Sequence, residues 1–91
     1  MQNGEGAAIT IHPIANGQAE AMEFIVDEQT ANCGKPLREL ATRSDVLIAC
    51  ITHAGKTVIP SGGSSFVRGD TVIVVTNHSS EIRQLNDIFE R

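Results

Sequence analysis

The sequence predicts a small α+β domain in which a mixed or antiparallel sheet is combined with two helices. The chain has 91 residues, a length that suits one domain with a thin hydrophobic core. Residues 46–51 and 71–76 are rich in β-branched side chains, which favour strands. Apolar residues recur at helical spacing in residues 37–41 and again in residues 82–89, which indicates the two helices.

The N-terminal segment, residues 1–17, is expected to be a flexible linker or a frayed end with one edge strand in it. Its first part is polar, rich in glycine and without apolar periodicity, as chain ends often are. Ile9 and Ile11 then alternate with polar residues. Pro13 has no N–H group to donate to a strand ladder, so a strand that contains it can lie only at a sheet edge. The folded domain proper is expected over residues 18–91.

A half-buried strand is predicted over residues 20–26, because apolar side chains alternate there with other residues. A short helix follows, since the fixed φ of Pro36 suits a first helical turn. Leu37, Leu40 and Ala41 come next at positions i, i+3 and i+4, so one stripe of this helix can be buried.

The second half of the chain predicts a hairpin, a strand and a helix. The run 46–51 is almost wholly apolar, which is typical of a strand that is covered on both faces or that lies in an interface. Gly55 indicates a tight hairpin turn, and Pro60 ends the returning strand. Residues 71–76 form the strongest predicted strand, and residues 82–89 the second helix.

Composition excludes several classes of protein. Seven Lys and Arg stand against eleven Asp and Glu, and the net charge of −4 disfavours binding to nucleic acid. The chain has no Trp, no Tyr and only three Phe, so it offers no stacking platform for bases. No run approaches the roughly 18 apolar residues of a membrane span, so direct membrane insertion is not expected. Two cysteines are too few for a disulfide framework, which fits a cytoplasmic location.

No catalytic or metal-binding motif is complete. Residues 55–57 read Gly-Lys-Thr, but a phosphate-binding loop needs an earlier glycine and a following helix, and neither is present. His12, His53 and His78 are far apart in sequence and share no predicted element, so no metal site is expected. Cys50 lies inside an apolar run, which indicates burial rather than a reactive thiolate. We therefore expect no enzyme and no metal.

The order and wording of the elements resemble one known family. Five segments carry the resemblance. The first three are an acidic strand in residues 20–26, the segment Gly-Lys-Pro-Leu-Arg-Glu-Leu in residues 34–40 and an apolar strand in residues 46–51. They are followed by a hairpin that ends in Ile-Pro, in residues 58–60, and by a Gly-Asp turn before the last strand, in residues 68–75. This arrangement resembles the TrkA C-terminal domain, also called the RCK C-domain, over residues 18–91. The chain differs from the family pattern in carrying His53 where an arginine is common and Gly62-Gly63-Ser64 where Gly-Asp-Thr is common.

The resemblance implies a dimeric, non-catalytic regulatory module with the TrkA C-terminal fold. It implies a ligand-sensing and dimerisation domain of a potassium uptake or channel system, in which binding of a small molecule is coupled to cation transport. In such proteins a nucleotide-binding domain precedes this module, and in some relatives the cleft of the two-fold dimer binds cyclic di-AMP. No other cofactor is implied. The implied partners are a second copy and a membrane-embedded potassium transporter or channel subunit, at the cytoplasmic face of the membrane.

The expected ligand site lies on the hairpin and at its end. Apolar surface on so small a domain, together with the dimer cleft that the resemblance implies, points to Ile48, Ile51, His53, Ile59 and Pro60. Two other readings stay open at this point. The same domain could regulate a cation/proton antiporter or a dicarboxylate carrier, and a small thiol enzyme using Cys50 is the remote alternative. The chain is expected to be either an excised fragment or a small stand-alone module.

Overall fold

The computed structural model describes residues 7–90, which form one antiparallel sheet with loops packed on one of its faces. The sheet has five strands in the order β1-β2-β5-β3-β4. The strands are β1 (Thr10–Ile14), β2 (Ala19–Ile25), β3 (Val46–His53), β4 (Lys56–Val58) and β5 (Thr71–Thr76). Every neighbouring pair is antiparallel, so of the two predicted sheet types the antiparallel one is present.

The central strand is β5, which pairs with both β2 and β3. Its β-branched residues suit a position with a neighbour on each side. Val72, Val74 and Thr76 point to one face and are fully buried, whereas Ile73 and Val75 point to the other face and are half-buried. The alternation predicted for β2 is also present, since Met22 and Phe24 are buried against Val74 and Val72.

The two edges of the sheet are occupied by the strands least suited to its centre. β1 pairs with β2 alone, from Thr10 opposite Glu23 to Ile14 opposite Ala19, so the edge strand predicted in the N-terminal segment is present. Pro13 lies in β1, where a missing N–H costs no ladder hydrogen bond on the open side. The other edge strand, β4, has three residues.

A bulge in β3 changes the direction of its side chains. Ile48 lies opposite Val74, but the next paired residue is Cys50 opposite Ile73, so one residue is extra. The bulge brings Ile48 and Ile51 to the core face although they are three positions apart. Leu47 lies opposite Val75 on the other face and stays 62% exposed. Residues 7–90 therefore leave the Leu47 side of β3 uncovered.

The hydrophobic core lies between one face of the sheet and the loops that cross it. Phe66, from the long connection between β4 and β5, is completely buried. Ile82, Leu85 and Ile88 of the C-terminal segment close the same face, each at most 2% exposed. The buried apolar set is Met22, Phe24, Val26, Ile51, Phe66, Val72, Val74, Ile82, Leu85 and Ile88.

The prediction of two helices is wrong for the residues that the structure describes. The first segment makes one 3₁₀ turn, Leu37–Glu39, and Leu40 is already extended, with φ −94° and ψ 137°. Its backbone is bonded elsewhere: the N–H of Leu37 donates to Ser64 O at 2.8 Å and that of Arg38 to Gly62 O at 3.0 Å. Short helices are marginal in water without packing support, so these long-range bonds prevail.

The second predicted helix is broken for the same reason. Within residues 82–89 only Leu85–Ile88 forms a 3₁₀ turn, after an extended Gln84, and another 3₁₀ turn, Ser79–Glu81, lies before this span. The chain end then pairs with the segment before β3, where the N–H of Arg43 donates to Ile88 O at 2.8 Å and that of Glu90 to Ala41 O at 2.7 Å. The apolar residues keep their helical spacing and are buried, but they reach the core from turns. In residues 7–90 no helix has the length and apolarity that crossing a membrane requires.

Candidate ligand-binding site

An open cleft of about 290 Å³ lies at the edge of β3 where β4 has ended. β4 pairs only with Ile51–His53, so the outer edge of Val46–Ile48 has no strand partner in β4. β4 ends at Val58, and the chain that follows it supplies Pro60, Ser61 and Gly62 to the lining of the cleft. The lining residues are Leu37, Arg38, Thr42, Val46, Leu47, Ile48, Pro60, Ser61 and Gly62. The lining combines apolar side chains with the polar side chains of Arg38, Thr42 and Ser61. The volume is close to the lower limit for small-molecule sites.

Backbone bonds hold the two sides of the cleft in register. The loop on one side is closed on itself, because Ser64 N donates to Ser61 O at 3.0 Å and Ser61 N donates to Ser64 Oγ at 3.0 Å. The bonds from the 3₁₀ turn to Gly62 and Ser64 tie this loop to the opposite side. A Cβ on Gly62 would lie 3.3 Å from the Cβ of Arg38, so a glycine permits this close approach.

Arg38 is the only charged residue of the cleft lining. It is exposed, and within residues 7–90 no carboxylate lies within ion-pair distance of it. Arg43 differs, because it bonds Asp45 at 3.0 Å and also contacts Glu81. These hydrogen bonds raise the pKa of Arg43 and lower that of Asp45. The charge of Arg38 is thus not neutralised by the described part of the chain.

The residues predicted for the site are distributed over three environments. Ile48 and Pro60 are half-buried and both line the cleft. Ile59 precedes Pro60 and is 86% exposed, so it stands at the surface next to the cleft. Ile51 is 3% exposed and belongs to the core, and His53 lies at the far end of β3. The structure therefore brings Ile48 and Pro60 together in the cleft with Ile59 beside them. It places Ile51 and His53 elsewhere.

His53 is held by a buried carboxylate. Its Nδ1 is 2.5 Å from Asp70 Oδ1, and the second carboxylate oxygen accepts the N–H of Val67 at 3.0 Å. The Asp70 side chain is 4% exposed, whereas that of His53 is 68% exposed. Asp70 also closes a turn with Gly69, whose φ is +96°. The pair stabilises the entry into β5 and takes no part in lining the cleft.

Sequence reasoning missed most of the lining residues. Leu37 carried a signal, since it lay on the apolar stripe of the predicted helix, and Val46 and Leu47 belonged to the apolar run. Arg38 and Thr42 carried none, because a single polar residue has no periodicity of its own. Arg38 is held beside the cleft by its backbone bond to Gly62, whereas Thr42 is placed by its bridge to Phe89.

The described residues offer little else that is reactive. Burial raises the pKa of the Cys33 thiol, and the carboxylates of Asp27 and Asp70 raise it further, so the nucleophilic thiolate is disfavoured. Cys50 is half-buried in β3. In residues 7–90, no three His, Cys, Asp or Glu side chains are placed to hold a metal ion together.

Comparison with known proteins gives a family match and similar curated proteins. The family model of the TrkA-C domain matches residues 21–90. The Trk system potassium uptake protein TrkA homolog of Pyrococcus horikoshii is 31% identical over 74 residues, which are 80% of this chain and 32% of that protein. The protein of the same name from Pyrococcus abyssi is 32% identical over 74 residues, with the same coverage of 80% and 32%. The chain thus spans about a third of the length of these curated relatives.

Proposed function

The chain belongs to the TrkA-C domain family, and from this we propose that it is the ligand-sensing and dimerisation domain of a potassium transport system. The matched relatives are named as potassium uptake proteins, which favours potassium over the antiporter and dicarboxylate alternatives. The proposed role is regulatory and not enzymatic. The domain acts on a membrane-embedded transporter or channel subunit through the remainder of its parent protein.

The observation that carries this proposal is the apolar cleft together with the exposed apolar residues beside it. Leu47, at the cleft wall, is 62% exposed, and Ile59, next to Pro60 of the opposite wall, is 86% exposed. Exposed side chains of this size on adjacent elements are typical of an interaction surface. We propose that a second copy packs on this surface, so that two clefts face each other across a two-fold axis.

The proposed ligand is a small molecule held between the two copies, and cyclic di-AMP is the first candidate. Ile48, Pro60 and Leu47 would contact its bases. Regulation then follows from differential affinity: a ligand that binds one dimer geometry better than another shifts the population toward it. The shift is transmitted to the attached transporter, and its size is limited by the difference between the two affinities.

Sedimentation and transport measurements test the proposal. We expect the chain to sediment as a dimer, and Ile59→Asp to convert it to a monomer without loss of folding, because this side chain is almost fully exposed. Ile11→Asp is the matched control: Ile11 is 51% exposed but lies on the opposite edge of the sheet, so the dimer should persist. A wild-type chain that stays monomeric at high micromolar concentration, with and without cyclic di-AMP, contradicts the dimer.

The regulatory role itself needs the parent protein. The parent is expressed in a bacterium that lacks its own potassium uptake systems, and potassium-limited growth and rubidium influx are measured. Ile59→Asp in the parent is expected to alter the influx rate, and Ile11→Asp to leave it unchanged. Equal influx for wild type and Ile59→Asp contradicts a regulatory role of this surface.

A further inference from the structure

We propose that Arg38 is the anion-binding residue of the cleft, and that the ligand carries a phosphate or carboxylate group on an apolar or aromatic body. The inference rests on the proposed function only in that the cleft holds a ligand. It concerns the class of that ligand and the residue that selects it.

The first support is the way in which Arg38 is placed. The missing side chain of Gly62 lets the loop lie on the Arg38 stem, with 3.3 Å between the Cβ position of Gly62 and the Cβ of Arg38. Further along the stem, Nη1 lies 3.4 Å from the Cβ position of Gly63. The Arg38 side chain therefore runs beside Gly62 and Gly63, and both Arg38 and Gly62 line the cleft. A planar guanidinium group placed there can bind an oxyanion with two parallel hydrogen bonds.

The second support is the distribution of charge. The chain carries −4 overall, so its general field repels an anionic ligand and a local cation must offset it. Two other arginines already have acidic partners: Arg43 bonds Asp45, and Arg68 lies 3.7 Å from Glu28. Arg38 alone combines a place in the cleft lining with the absence of a carboxylate partner in residues 7–90. Apolar walls beside it lower the local dielectric and strengthen an ion pair formed there.

The third support is the position of the other candidate cation. His53 does not line the cleft, and its Nδ1 is engaged by Asp70 at 2.5 Å. Lys56 lies opposite it at the hairpin end of β3. Neither side chain belongs to the wall formed by Val46–Ile48, so recognition of the anion is assigned to Arg38.

Isothermal titration with three matched probes tests the inference: adenosine, adenosine 5′-monophosphate and adenosine-5′-carboxylic acid. They share the adenine base and the ribose ring and differ at the 5′ position, which carries a neutral hydroxymethyl group, a phosphorylated hydroxymethyl group or a carboxylate. For the wild-type chain we expect the anionic probes to bind about tenfold to hundredfold more tightly than adenosine, the range of a charge-assisted pair. In Arg38→Gln this advantage should fall below about threefold, because the affinity for the anionic probes falls more than the affinity for adenosine does.

Two controls keep the result interpretable. Arg83→Gln removes the same charge at another exposed arginine and should leave the advantage intact. Arg38→Lys keeps the charge but loses the paired geometry, so an intermediate advantage is expected. Thermal melting of each variant checks that the fold is retained. The two anionic probes distinguish the sources: equal affinity indicates any oxyanion, and preference for the monophosphate indicates a phosphorylated ligand.

Two outcomes overturn the inference. One is an Arg38→Gln variant that prefers the anionic probes as strongly as the wild type does. The other is a wild-type chain that does not distinguish the probes or binds none of them. Either result leaves the dimer and the regulation of potassium influx to be judged by their own assays, so failure of Arg38 as the anion-binding residue is separable from failure of the proposed function.

Discussion

Replacement of Asp70 by alanine is expected to destabilise the domain strongly, although Asp70 lies outside the core. The residue is 3% exposed and its carboxylate has two partners, the N–H of Val67 at 3.0 Å and Nδ1 of His53 at 2.5 Å. Alanine removes both contacts and leaves no acceptor for the Val67 N–H. The turn that leads into β5 then loses the group that closes it.

The magnitude follows from the burial of each partner. Loss of the acceptor for a partly buried backbone donor costs about 1–3 kcal/mol. The His53 side chain is 68% exposed, so solvent screens its contact with the carboxylate and we assign less than about 1 kcal/mol to it. Asp70→Ala should therefore lower the free energy of unfolding by about 2–3 kcal/mol. For a domain of this size that corresponds to a fall in Tm of roughly 10–20 °C.

Urea denaturation followed by circular dichroism measures this free energy directly. His53→Gln should cost less than about 1 kcal/mol, because it removes only the exposed partner. Asp70→Asn retains an oxygen that can accept the Val67 N–H, so its cost should lie between the other two. If Asp70→Ala unfolds within about 0.5 kcal/mol of the wild type, the range of ordinary surface substitutions, this account of the turn is wrong.

The remaining predictions concern acid stability, the core and the cleft. Because Arg43 lowers the pKa of Asp45 in the folded state, the stabilisation is complete above the unfolded-state pKa and is lost as the pH falls through the folded-state pKa. Urea melts at pH 7 and pH 3 should thus differ less for Asp45→Asn than for the wild type, and an unchanged difference refutes the assignment. Phe66→Ala should cost about 3–5 kcal/mol and leave the chain largely unfolded by circular dichroism, whereas a stable, cooperatively melting variant would show that the loop is not part of the core. Gly62→Ala should lower the free energy of unfolding by about 1 kcal/mol and weaken probe binding, since the new Cβ presses on Arg38; tighter binding in titration contradicts this.

The strands could be predicted because their signals are local. Alternation over residues 20–26 and the β-branched run 71–76 specify which side chains can share a buried face, whatever the rest of the chain does. Pro13 likewise restricts its strand to an edge, and the structure places β1 there. The family could also be inferred from sequence, because it depends on the order of short segments.

The absence of the two helices could not be predicted, because it depends on hydrogen-bond partners that are distant in sequence. The spacing of Leu37 and Leu40 is compatible with a helix, but the acceptors that the backbone uses are on Gly62 and Ser64. Similarly, the chain end pairs with residues 41–43 rather than with its own preceding turn. The spacing of apolar residues indicates which side chains are buried. It does not determine whether the backbone that bears them is a helix or a series of turns.

The candidate site also was predicted only in part, where its residues lie in or next to elements with local signals. Sequence reasoning identified Ile48 and Pro60, which lie in or directly after elements that it predicted correctly. It also chose Ile51, which the bulge in β3 turns into the core, and it omitted Arg38, which has no periodic signal. A bulge and a loop-to-turn contact both depend on atoms that are far apart in sequence.

The amino-acid sequence by itself determined the β-rich character of this domain, its edge strand, its thin core and its membership of the TrkA-C family. These properties follow from patterns within a few neighbouring residues and from the order of such patterns. Only the tertiary structure decided that turns replace the helices, that the end of β4 leaves a cleft beside β3, and that Arg38 lines that cleft. The physical reason is that each of these depends on backbone groups pairing across the fold, which side-chain periodicity does not encode.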